Sequence, residues 1–164
     1  QKQSLFLMVL FLSTNRQSMQ QQWIQWIKHA YYNEKVCNFL NSESSFHDWI
    51  VTIAFYTSMY YVMYKFFPCN YDGRSFNNPE ALVNHLRGFQ KRRTSKHMAI
   101  LTVIRTQNID ISGAFEEIYS LCHNARYTKF EMSVEEKEKA VEFMNEIKDY
   151  CHTNKPGFTI SDYF

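Results

Sequence analysis

The stretch Phe46–Phe67, FHDWIVTIAFYTSMYYVMYKFF, limits the fold more than any other part of the chain. It holds no Gly and no Pro, and its only fixed charges are Asp48 and Lys65. A half-exposed helix carries one apolar stripe and one polar face. Here Trp49, Ile50, Ile53, Ala54, Tyr56, Tyr60, Val62, Met63 and Phe66 fall nearly all round the helical wheel. That pattern predicts a helix surrounded by other helices. Its tyrosines argue against a membrane span, because each buried hydroxyl needs a partner. Thr52, Thr57, Ser58 and the Tyr hydroxyls read as satisfied core groups and not as a cofactor box.

Around this helix the chain of 164 residues has room for one domain with a sizeable core. Only 4 Gly and 3 Pro occur, which predicts long regular elements joined by few tight turns. Helical spacing of Met19, Trp23, Trp26, Ala30, Val36 and Leu40 predicts a helix from about Gln17 to Leu40. Ser44 or Ser45 offers an N-cap to the aromatic helix, and Pro68 ends it near Phe67. Pro68–Asn78, PCNYDGRSFNN, reads as a loop. Asn78-Pro79-Glu80 then starts a helix, with Asn as cap and Pro at the first helical position. A kink near Arg93 and a cap at Thr94 or Ser95 are expected before a segment holding Met98, Leu101 and Ile104. After a turn at 108–113, a helix carries Phe115, Ile118, Tyr119 and Cys122 to about Lys129. Ser133 and Glu136 have capping-box spacing for a last helix that runs to about Cys151. No strand series is visible. The fold class is therefore all-α, a bundle of five or six helices.

The run Leu5–Leu12 is apolar but spans eight residues, against the roughly 20 a membrane helix needs. No small-residue cleavage site follows it, so it is expected to be a buried first helix or a cover for a partner's surface. The organisation read from the chain is an apolar segment at 1–16, a helical domain at 17–153 and a tail at 154–164. A net charge of +2 neither requires nor excludes nucleic acid. The 4 Cys have no CxxC spacing and read as free thiols. Phosphate-binding glycine loops, HExxH and paired metal ligands are absent from the sequence. The basic cluster Arg87, Lys91, Arg92, Arg93 and Lys96 could meet a phosphate backbone or could be solvated surface. Tyr119, Cys122 and Arg126 share one helical stripe, with His123 and Tyr127 on the next. An arginine there needs an acceptor or an aromatic face, and a tie to Asp48 or Glu80 is one expected form.

Two of these stretches together resemble a known family. His47-Asp48-Trp49 followed by Ala54-Phe55-Tyr56 on one helix pairs with Tyr119, Leu121 and Ala125-Arg126-Tyr127 on a later one. This arrangement, with Trp23, Trp26 and Ala30 upstream, resembles small prokaryotic HEPN-domain proteins over roughly residues 20 to 152. The resemblance implies a bundle built on a long antiparallel helix pair, a homodimer, and binding or cleavage of RNA or a nucleotide. It implies a metal-independent endoribonuclease of a toxin–antitoxin or antiviral system, cytoplasmic, with a cognate antitoxin or other partner protein and no membrane, metal or cofactor.

In that family an Arg-x(4–6)-His pair clamps phosphate and moves protons. Arg92-x4-His97 has this spacing, although one such pair in a chain of this composition is close to what chance supplies. No His follows Arg126 within six residues, so the alternative pair is His123 with Arg126, supported by Tyr119, Asn124 and Tyr127. Arg87, Lys91, Arg93 and Lys96 are then the expected nucleic-acid contacts. The competing reading is a non-catalytic helical module that binds a protein partner or a small ligand.

Overall fold

The aromatic stretch folds as α2, His47–Phe66, and the helices Lys2–Ser42, Lys96–Gln107, Ser112–His123 and Val134–Thr153 all pack directly against it. The computed structural model describes residues 2–42, 45–90, 94–107 and 110–153, and among them six α-helices and one short β-hairpin form a helical bundle. The helix α1, Lys2–Ser42, begins well before the expected start near Gln17 and enters the core through Trp26, Ile27, Ala30 and Cys37. Cys37 Sγ lies 3.8 Å from the Ile50 carbonyl, the His29 ring stacks on Tyr60, and Trp26 meets Phe67 edge-on. Contacts that descend α1 while ascending α2 make the two an antiparallel pair.

The last helix, α6 (Val134–Thr153), runs beside α2 in the same direction. His47 Nδ1 lies 2.9 Å from the Met132 carbonyl at one end, and Phe66 stacks on Tyr150 at the other. The capping box at Ser133 is present in both halves. The Glu136 N–H donates to Ser133 Oγ at 3.2 Å, and the Ser133 N–H donates to Glu136 Oε2 at 2.8 Å. Asn78 and Ser95 cap α3 (Pro79–Gln90) and α4 (Lys96–Gln107) through bonds from the Ala81 and Met98 N–H groups. The helix α5, Ser112–His123, lies on α2 through Phe115 and Tyr119, both packed against Phe55. Phe55 and Phe115 are each 1% exposed, and burying a side chain of that size contributes about 1.5–3 kcal/mol.

Three local expectations are corrected. The segment after Pro68 is a hairpin, in which β1 (Cys69–Tyr71) pairs antiparallel with β2 (Arg74–Phe76). Asp72 and Gly73, both with positive φ, make its two-residue turn. The capping position of α2 is Phe46, with no side-chain cap, while Ser44 lies outside the described residues. The end of the fifth helix is not α-helical: Asn124–Thr128 is a π turn, closed by the Lys129 N–H on the Asn124 carbonyl at 2.9 Å. The kink expected near Arg93 and the tail 154–164 lie outside the described residues.

The hydroxyls inside α2 are satisfied as expected. Thr57 and Ser58 donate back to the carbonyls of Ile53 and Ala54. The Tyr61 hydroxyl donates to Glu34 Oε2 at 2.6 Å, and Lys148 ion-pairs with Glu34 Oε1. Glu34 is only 9% exposed, so one carboxylate holds α1, α2 and α6 together. Glu34→Ala is expected to lower the unfolding free energy by about 2–3 kcal/mol, because it strands a buried hydroxyl and a half-buried ammonium. Urea denaturation measures the loss, and the triple variant Glu34→Leu, Tyr61→Phe, Lys148→Leu is expected to recover most of it.

Candidate functional site

The open side of α2 is a single stripe. Trp49, Ile53, Tyr56 and Tyr60 recur at intervals of four, three and four residues, and none is fully buried. The helix is thus less enclosed than its composition predicts, because α1, α5 and α6 cover the other faces. Trp49 is 59% exposed.

Onto this stripe the π turn delivers Arg126. An α-helix would have kept Arg126 in line with Cys122, which is buried. The extra residue per turn moves the guanidinium outward, and Nη1 donates to the Tyr56 hydroxyl at 2.6 Å. The guanidinium also lies over the Tyr56 and Tyr127 rings, at 5.9 and 5.1 Å from their centroids. Among the described residues it pairs with no carboxylate. Glu80, one expected partner, is taken by Lys96. Asp48, the other, lines the same groove as Arg126.

The Tyr56–Arg126 bond separates two concavities. The smaller, about 190 Å³, is lined by Phe55, Tyr56, His97, Tyr119, Cys122, His123, Arg126 and Tyr127. Five residues singled out in the sequence (His97, Tyr119, His123, Arg126, Tyr127) therefore meet at one place, although they come from α4, α5 and the π turn. His97 is fixed by rings, with centroids at 5.1 Å to Phe55 and 5.4 Å to Tyr119. Burial pushes its imidazole below the ordinary value of 6.5, and the charges of Lys96 and Arg126 add to the shift. Burial pushes the Cys122 thiol up to about 11, despite Arg126 and a bond to Thr52, so it is no nucleophile at neutral pH. His123 is exposed, with its ring 5.2 Å from Tyr127.

Other expected residues lie elsewhere. Arg92, Lys91 and Arg93 are outside the described residues. Arg87 Nε donates to the Thr94 carbonyl at 3.0 Å, and Lys96 is ion-paired. Asn124 serves the π turn, where its Oδ1 accepts from the Thr128 hydroxyl at 3.0 Å.

The larger concavity, about 590 Å³, is a groove that sequence reasoning missed. His29 and Asn33 of α1 face Asp48, Trp49, Thr52, Ile53, Tyr56 and Tyr60 of α2, and Ala125, Arg126 and Phe130 close it. Phe130 has φ +58°, and a three-residue turn holds it there through the Glu131 N–H and the Lys129 carbonyl at 2.7 Å. A left-handed Phe costs about 1–2 kcal/mol, and such strain collects at functional sites. The i, i+4, i+7, i+11 spacing of the α2 stripe was the available signal. It was hidden because the other faces of that helix are equally apolar.

Among the described residues no group of three His, Cys, Asp or Glu side chains is placed to hold a metal. No helix of the described residues is long and apolar enough to cross a membrane. Compared with protein-family models, curated proteins and solved structures, the chain matches none.

Two expectations follow from this geometry. Arg126→Ala is expected to cost about 1 kcal/mol or less, since the exposed guanidinium holds one hydrogen bond and two ring faces; thermal melting checks it. Because folded His97 binds its proton less readily than the unfolded chain, its contribution to stability is complete above pH 6.5 and is lost as pH falls below it. In an NMR titration His97 should protonate below 6.5, and Arg126→Ala should move that midpoint upward.

Proposed function

We propose that this chain is a HEPN-like helical domain that binds single-stranded RNA and cleaves it without a metal at the His97–His123–Arg126 cavity. The observation that carries the reading is the convergence of two imidazoles and an arginine without a carboxylate partner on one cavity. A neutral imidazole at pH 7 is suited to accept a proton, and His97 is held in that form. A guanidinium with free N–H groups is suited to a phosphate.

In this mechanism His97 takes the proton of a ribose 2′-hydroxyl. The 2′-oxygen attacks the adjacent phosphorus, and Arg126 pairs with the non-bridging oxygens as charge builds on them. The bond from phosphorus to the 5′-oxygen breaks, and the His123 imidazole donates a proton to that leaving oxygen. The products are a 2′,3′-cyclic phosphate and a 5′-hydroxyl. The same reading includes a homodimer and a partner protein such as an antitoxin.

The test is incubation of the purified chain with single-stranded RNA in EDTA at pH 7, with analysis of product ends. Cleavage to cyclic-phosphate ends is expected, slowed about 10²–10⁴-fold by His97→Gln and by His123→Ala, with melting temperatures near that of the parent. Intact RNA, or cleavage indifferent to both substitutions, overturns the reading. Binding of a protein partner with RNA untouched would favour the interaction-module alternative.

A further inference from the structure

The larger groove shares Tyr56 and Arg126 with the histidine cavity but has its own chemistry. Its volume of about 590 Å³ falls in the range of about 300–1,000 Å³ typical of small-molecule pockets. Two exposed rings, Trp49 and Phe130, line it from different elements, one on α2 and one on the strained turn before α6. Flat aromatic faces of this kind take a nucleobase whatever its sequence. Selectivity has to come from the polar groups, and the groove has two of opposite sign, Asp48 and Arg126. Asp48 stands two turns before Tyr56, a rise of about 12 Å along the helix, and Tyr56 tethers Arg126. That separation matches the reach of a nucleotide from its base edge to its phosphate.

We infer that this groove is a guanine-selective nucleotide subsite. The purine ring stacks on Trp49 and Phe130, the Asp48 carboxylate accepts from guanine N1–H and N2–H, and Arg126 holds the phosphate. A carboxylate only accepts, and guanine alone among the four bases places two donors side by side on that edge. Adenine and uracil set a donor beside an acceptor, and cytosine offers one amino group. The inference rests on the RNA reading, since the phosphate on Arg126 is then the one facing His97 and His123, and guanosine adjoins the cleaved bond. It adds which base the site takes.

The experiment titrates the full chain with the 5′-monophosphates of guanosine, adenosine, cytidine and uridine while Trp49 fluorescence is followed. Trp49→Phe gives the background from Trp23 and Trp26. The guanosine nucleotide is expected to saturate at a concentration at least about tenfold lower than the other three. Asp48→Asn should remove that preference, with Asp48→Ser as a second variant suited to a helix start, and Arg126→Ala should weaken all four alike. Equal response to the four nucleotides, or no response at millimolar concentration, overturns the inference even if RNA is cleaved. Asp48-dependent guanosine binding with RNA left intact would sustain the guanine site and sink the cleavage reading instead.

Discussion

One buried carboxylate fixes how the three longest helices meet. Glu34 accepts from the Tyr61 hydroxyl and pairs with Lys148, so three helices distant in sequence share one acceptor. A carboxylate that is 9% exposed is tolerable only with both partners in place. The pair α1–α2 and the return of α6 beside α2 are therefore held at one depth and one rotation. Tyr61 faces Glu34, and Tyr60, the next residue along, is turned toward the open side.

That rotation makes α2 both scaffold and groove wall. Its buried faces carry Ile50, Ala54, Val62 and the satisfied hydroxyls of Thr57 and Ser58. Its remaining stripe is left to line a groove. The π turn completes the arrangement, because one additional residue in a helical turn carries Arg126 out of the core and onto Tyr56. The same tyrosine then borders both concavities, so the two meet at a single hydrogen bond.

Much of the bundle was legible in the chain because its signals are local. The caps at Asn78, Ser95 and Ser133 depend on side chains within three residues of the N–H groups they accept from. The long apolar helix follows from the run Phe46–Phe67, which has no Gly or Pro. The hairpin after Pro68 was not legible: its strands have three residues each, too few to show alternation. Of the candidate site, His97, Tyr119, His123, Arg126 and Tyr127 were singled out separately, and Asp48 only as an ion-pair partner for Arg126, while nothing marked His29, Trp49 or Phe130 as groove residues. Nothing local marks an aromatic residue as groove and not core when every face of its helix is apolar.

By itself the sequence determined an all-α chain with a central aromatic helix, the caps at Asn78, Ser95 and Ser133, and separate candidate histidines and arginines. It could do so because periodicity and capping act within one or two turns. Only the tertiary structure decided which stripe of α2 stays open, that Arg126 bonds a tyrosine and not a carboxylate, and that His97 meets His123 from another helix. Those outcomes depend on the rotation of each helix about its axis, which long-range contacts such as Glu34 with Tyr61 and Lys148 set.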